Sequence, residues 1–234
     1  MWHTVPMRKY LLLFTAVLTL NFFTLTDPTD AYADPSCSDV EIIFARGTGE
    51  EEGVGYTGRA FIDAVRARIP ERSVHEYGVN YPANNDWQTG VVGIADAKSH
   101  IMSTVDSCPK TAIVLGGFSQ GAAVAGFVTS DRIPDGIDPR EVPTPMPSDV
   151  ADHVTSVVLF GTPNERAMNF LGQPVMVIGP LYRDKTLKLC ADEDPVCSEG
   201  LNFAAHNSYG EQGLVNRGAD FAVNKLNKTV QHWN

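Results

Sequence analysis

Gly117-Phe118-Ser119-Gln120-Gly121 sets a hydroxyl between two glycines, directly after the apolar run Ala112-Ile113-Val114-Leu115. A helix-forming stretch follows from Ala122 to Val128. Strand, tight turn and helix together expose a serine oxygen at a strand end and aim the free N–H groups of the helix start toward it. A hydroxyl so placed suits nucleophilic attack on an acyl carbon once a base takes its proton. A glycine-rich turn around an ordinary serine would share the pentapeptide, but the flanking strand and helix favour the nucleophile.

The base for such a serine is a histidine, and in α/β-hydrolase sheets the order along the chain is Ser, acid, His. His153, His206 and His232 follow Ser119. His153 opens an expected strand and His232 lies in the tail, whereas His206 falls in a loop between elements and is the candidate base. Upstream of it, Asp192, Glu193 and Asp194 lie between Cys190 and Cys197. Any of the three could orient the imidazole and stabilise its charged form, and spacing does not choose among them. The oxyanion of the tetrahedral intermediate needs two N–H donors. Gln120, after the nucleophile, supplies one; the loop Gly47-Thr48-Gly49, after an early strand, supplies the other.

That loop also has some likeness to a dinucleotide-binding turn. Glu50, Glu51 and Glu52 would then stand where a pyrophosphate binds, and their charge opposes it.

Stepping outward, Val40 to Ala45 reads as a buried strand and Gly58 to Ile69 as a helix. Ser73 to Tyr81 reads as a second strand and Trp87 to Val105 as a long helix. After the Ser119 strand and its helix, Ile133 to Pro147 is rich in Pro and Asp and reads as an irregular surface loop. Val154 to Phe160 and Val175 to Ile178 are further apolar strands, and Leu214 to about Leu226 is an amphipathic helix. Alternation of strand and helix, with near-continuous apolar strands, predicts a mostly parallel central sheet flanked by helices. The turns after Ala45, Phe118 and Phe160 should meet on one rim, where sites form in such sheets.

A length of 234 residues suits a single α/β domain. The net charge of −10 argues against nucleic acid as a partner, since phosphate binding needs clustered Lys and Arg. Arg8 and Lys9 precede an apolar stretch from Leu11 to Leu25, and Ala31-Tyr32-Ala33 offers a small-x-small cleavage site. Residues 1–33 are therefore read as a secretory leader, leaving an exported, soluble domain over residues 34–234 with no stable membrane anchor. No later stretch is long and apolar enough to span a bilayer.

Export makes the even set Cys37, Cys108, Cys190 and Cys197 a disulfide framework rather than a metal site. Three pairings are possible. Closeness in sequence favours Cys190 with Cys197, leaving Cys37 with Cys108. On the chain-entropy argument the long loop contributes about 4 kcal/mol and the short one about 2.5 kcal/mol.

Taken jointly, Ala45-Arg46-Gly47-Thr48-Gly49-Glu50, the Ser119 pentapeptide, Asp194-Pro195-Val196-Cys197 and His206-Asn207-Ser208-Tyr209 resemble the cutinase family. The likeness is greatest to the serine esterases of that family secreted by actinobacteria, mycobacteria in particular, and it runs from about Cys37 to the C-terminus. The resemblance implies a small, lidless, single-domain α/β hydrolase. It implies Asp194 as the acid, His206 as the base, Thr48 with Gln120 as the oxyanion hole, and the pairs Cys37–Cys108 and Cys190–Cys197. No metal or cofactor is implied. The implied substrates are small esters of short to medium acyl chains, lipids or polyesters, acted on by a monomer in the extracellular space or cell envelope. A carbohydrate acetyl esterase would share these motifs, and a non-catalytic cell-surface protein could keep the fold. The departure from the family pattern is the Pro-rich insertion at 132–149, which could shape the acyl groove.

Overall fold

Five strands, β1 (Val40–Ala45), β2 (Val74–Gly78), β3 (Ala112–Phe118), β4 (Val154–Phe160) and β5 (Thr186–Leu189), form one sheet. The computed structural model describes Met1 and residues 37–233, so the leader expected over residues 1–33 lies outside the described residues. The strand order is β2-β1-β3-β4-β5, and every pairing is parallel. The helices are α1 (Gly55–Arg66), α2 (Gly90–Ser107), α3 (Gln120–Val128), α4 (Val150–His153), α5 (Glu165–Phe170), α6 (Pro180–Arg183) and α7 (Leu214–Trp233). This is a parallel sheet between helical layers, as the sequence predicts.

Both faces of β1, β3 and β4 are covered, which is why they read as apolar runs. Val40, Ile42 and Phe44 of β1 meet Phe61 and Ile62 of α1 and Ala222 and Leu226 of α7 on one face. Ile43 of β1 and Leu115 of β3 meet Ala97 and Ile101 of α2 and Val124 of α3 on the other. From β1 the chain first runs outward to β2, then crosses back to place β3 on the opposite side. The carboxyl ends of β1 and β3 therefore border a crevice at the point where strand order reverses.

One expected strand is absent. Val175–Ile178 is extended coil: Met176 packs into the apolar layer against α3, and the Gly179 N–H donates to Thr129 O at 3.0 Å. The fifth strand is Thr186–Leu189, an edge strand alternating with a polar Lys188. His153 closes α4 rather than opening β4.

A charged cluster is built into the amino-terminal half of β1. Glu41 is only 7% exposed and its carboxylate accepts from His100 Nε2 at 2.6 Å, His75 Nδ1 at 3.2 Å and Thr104 Oγ1 at 2.9 Å. The Tyr77 ring stacks on His100, with centroids 3.5 Å apart. Burial pushes the Glu41 carboxyl up, but the His100 hydrogen bond and charge, with Thr104 and His75, outweigh it and hold the group below its usual range. Its contribution is therefore complete above the ordinary value of 4.5 and is lost as pH falls through the lower folded value. Glu41→Gln is expected to lower stability at neutral pH by about 2 kcal/mol. Urea melts from pH 7 downward should also show a shallower acid loss than in the parent protein. Equal acid slopes in the two proteins would refute the assignment.

Candidate active site

Ser119 occupies the turn between β3 and α3 with φ 54° and ψ −118°. That region is disfavoured for residues bearing a Cβ and costs about 1–3 kcal/mol. The surrounding backbone enforces it: the Ser119 N–H donates to Phe160 O at 2.9 Å, and Ser119 O accepts from Ala122 N at 3.0 Å. A Cβ on Gly117 would collide with the carbonyl of Gly121, and one on Gly121 with the carbonyl of Ala45. Backbone thus packs on backbone where β1, β3 and α3 meet, and the serine is lifted to the rim. As the first residue of α3, Gln120 has no intrahelical acceptor for its N–H.

The loop after β1 is tied down on three sides. Arg46, 5% exposed, donates to the carbonyls of Glu50 at 3.1 Å, Val79 at 3.3 Å and Tyr81 at 2.7 Å. The Glu50 carboxylate accepts from Gly47 N at 2.5 Å and Tyr56 N at 2.8 Å. It thereby takes loop N–H groups that a phosphate would have needed, which disposes of the dinucleotide turn. Thr48 Oγ1 donates to Gln120 Oε1 at 3.1 Å, and Gln120 Nε2 to Asn84 O at 3.2 Å. Thr48 and Gln120, distant in sequence, are therefore neighbours. Sequence reasoning missed the buried Arg46 as the organiser of this loop; an arginine within an apolar strand end was the available signal.

The third part lies in the segment after β5. Cys190 and Cys197 are bonded, as are Cys37 and Cys108. Of the three candidate acids, Asp192 and Glu193 are exposed and Asp194 is fully buried, at 0%. Asp194 Oδ2 accepts from His206 Nδ1 at 2.7 Å and from Tyr209 Oη at 2.6 Å, while Oδ1 accepts from the Val196 N–H at 2.9 Å. Burial pushes the Asp194 carboxyl up, but the hydrogen bonds from His206, Tyr209 and Val196, with the charge of His206, hold it below the usual range. Burial and the Asp194 charge push the Tyr209 hydroxyl up, so it stays protonated and donates. The Cys197 sulfur lies 3.2 Å from Asp194 Oδ2. Cys190, Asp194 and Cys197 come within metal-ligand spacing, but both sulfurs are held in the disulfide and offer no thiolate.

Two features place His206 against the carboxyl ends of β3 and β4. Phe118, the residue before the serine, stacks on the imidazole with centroids 4.9 Å apart. Gly161, at φ 59° after β4, leaves room for the ring; a Cβ there would approach His206 Cε1 at 2.9 Å. No hydrogen bond joins the Ser119 hydroxyl to His206 among the described residues. Such contacts are often long in unliganded sites and tighten when substrate arrives. His153 lies at the opposite end of β4, before its first residue, and His232 near the end of α7.

Comparison with known proteins follows the same lines. The Cutinase family model matches residues 36–226. The chain is 54% identical to the probable carboxylesterase Culp5 of Mycobacterium tuberculosis over 166 residues, covering 71% of this chain and 95% of that protein. It is 36% identical to the phospholipase Culp4 of the same species over 225 residues, covering 96% and 95%. Among solved structures it is similar to a Trichoderma reesei cutinase in complex with a C11Y4 phosphonate inhibitor. That match has a TM-score of 0.59 and 30% identity, covering 83% of this chain and 78% of the other.

Proposed function

The chain belongs to the cutinase family and is a carboxylic ester hydrolase, and we propose that Ser119, His206 and Asp194 carry out its reaction. The observation that carries this reading is the fully buried Asp194, hydrogen-bonded to His206 beside a serine held in a strained turn. Asp194 Oδ2 accepts from the Nδ1–H of His206, which leaves Nε2 free to take the Ser119 proton. Ser119 Oγ then bonds to the ester carbonyl carbon, and the carbonyl oxygen becomes an oxyanion held by the N–H groups of Gln120 and Thr48. The Thr48–Gln120 side-chain bond supports that pairing. Collapse of the intermediate breaks the ester C–O bond, His206 returns its proton to the leaving alcohol, and an acyl-serine remains. Water, deprotonated by His206, releases the acid and restores the serine.

Residues 34–234 are proposed as the exported catalytic domain, acting as a monomer outside the cell or in its envelope. The two disulfides support this. No described helix is long and apolar enough to cross a membrane. The proposed substrates are short to medium acyl esters, with lipid esters included because a relative is named a phospholipase.

The test is hydrolysis of p-nitrophenyl esters, combined with trapping by a p-nitrophenyl alkylphosphonate. Stoichiometric loss of activity with the added mass on the Ser119 peptide is expected. Labelling elsewhere, or full activity after labelling, would remove Ser119 from the reaction.

The Cys190–Cys197 bond closes a loop whose backbone fixes Asp194. Replacing both cysteines by serine is expected to lower kcat on the order of 10–100-fold, through misplacement of the acid. Assay of the double variant beside the parent checks this, and parental kcat in a folded double variant would show that the bond does not position Asp194.

A further inference from the structure

One carboxylate oxygen of Asp194 serves two side-chain donors. His206 Nδ1 donates to Oδ2 at 2.7 Å and Tyr209 Oη to the same atom at 2.6 Å, while Oδ1 takes the Val196 N–H at 2.9 Å. The two donors are three residues apart, at the end of the 3-10 turn Phe203–Asn207, so one turn of chain delivers both to the carboxylate. Tyr209 is 1% exposed. Its ring stands edge-on to Phe118, Phe160 and His206, with centroids 5.5, 6.1 and 6.3 Å away. That packing belongs to the ring, and phenylalanine would supply it equally well. The hydroxyl has a place of its own: a Cβ on Gly161 would stand 2.8 Å from Tyr209 Oη. Burial and the Asp194 hydrogen bond push the hydroxyl up, so it remains a donor wherever the enzyme works.

We infer that Tyr209 is a positioning residue for the reaction: by sharing Oδ2 with His206 it fixes the carboxylate and tempers the pull of Asp194 on the imidazole, keeping the base free to take the Ser119 proton in mildly acidic medium. The inference rests on the Ser119–His206–Asp194 reading. Each donor draws negative charge from the oxygen it meets, so a shared oxygen stabilises an imidazolium less than an unshared one. The surroundings do not mask this. Phe118 of β3, Gly161 after β4 and Leu214 of α7 abut the pair and carry no charge. Cys190 and Cys197 are bonded to each other and do not titrate. Asp192 and Glu193 are exposed. Arg166 of α5 reaches Pro195 O at 3.2 Å and Ser198 O at 2.9 Å, but it is paired with Glu199 at 3.0 Å and both side chains are exposed, so solvent screens them.

The test is Tyr209→Phe, which keeps the ring and removes the donor, assayed as kcat/KM for p-nitrophenyl butyrate from acid to mildly alkaline pH. The acid limb should move to higher pH by at least about half a unit, read as about threefold lower kcat/KM on the acid side. A tyrosine that merely packs would leave the limb in place. One whose loss lets Asp194 swing away from His206 would move it to lower pH. Either result overturns the proposal. A second measurement uses the parent protein with isotope-labelled histidine. The His206 Nδ1–H and Tyr209 Oη–H protons should give a through-space NMR cross-peak, because both point at one oxygen. Its absence overturns the shared oxygen even where Tyr209→Phe fails to fold. Parental turnover in Ser119→Ala protein would instead refute the triad, and the cross-peak would still report whether Oδ2 is shared.

Discussion

Ser119→Ala protein is expected to retain no more than about one ten-thousandth of the parental kcat on any ester, a loss of roughly four to six orders of magnitude. The residue is not replaceable by a neighbour: the turn that exposes it is built from Gly117, Gly121 and the carbonyl of Ala45. The Thr48 hydroxyl is engaged with the Gln120 side chain and so is not free to act as a nucleophile. Residual hydrolysis would come from the oxyanion donors and substrate binding alone. Stability should change by less than about 0.5 kcal/mol, because the lost oxygen makes no hydrogen bond among the described residues and alanine meets the same backbone constraint. Steady-state kinetics beside a thermal melt checks both halves. A folded variant that kept most of its turnover would end the assignment.

Asp194→Asn should lower kcat by about 10^4-fold. The hydrogen bonds leave the amide no good orientation. With its nitrogen at the Oδ2 position it faces the His206 Nδ1–H and the Tyr209 hydroxyl; with its nitrogen at Oδ1 it faces the Val196 N–H. The first orientation is relieved only when the imidazole moves its proton to Nε2, where it can no longer accept from Ser119. The second leaves two buried donors opposed and costs about 1–3 kcal/mol of stability. Because folding holds the Asp194 carboxyl below its ordinary 3.8, its charge is in place at every pH above that value and is lost only as pH falls through the folded value. The acid limb of activity near neutral pH should therefore not follow Asp194. Asp192→Asn and Glu193→Gln are the matched comparisons: both side chains are exposed, and kcat should stay within about twofold of the parent. A large loss in either, with Asp194→Asn active, would move the acid within the loop.

The sheet was legible where its strands are buried on both sides. Val40–Ala45, Ala112–Phe118 and Val154–Phe160 announce themselves because nothing in them has to face water. The same criterion failed at the edge. In Val175-Met176-Val177-Ile178, Met176 and Ile178 pack into the apolar layer that holds α3 without pairing with a strand, and only tertiary context separates the two cases. Thr186-Leu187-Lys188-Leu189 does pair, but as an edge it carries a lysine and lacks the continuous apolar signature. At the site, the serine turn follows from local residue choice and was readable from five positions. What sets Asp194 apart from its two neighbours is burial, Tyr209 and the Val196 N–H, none of which spacing reveals. The family resemblance supplied that choice. The Glu41 cluster was invisible for the same reason: His75 and His100 reach it from different elements, and only the fold brings them together.

The two disulfides sit at opposite rims of the sheet. Cys37 precedes β1 and Cys108 precedes β3, at the strands' amino ends, while Cys190–Cys197 lies just past the carboxyl end of β5, on the rim that carries Ser119. The turn between Cys108 and β3 therefore lies on the rim remote from Ser119. Immobilising the protein through that turn, on a bead or a biosensor surface, should then present the Ser119 rim outward, toward an ester in solution or a film brought up to it.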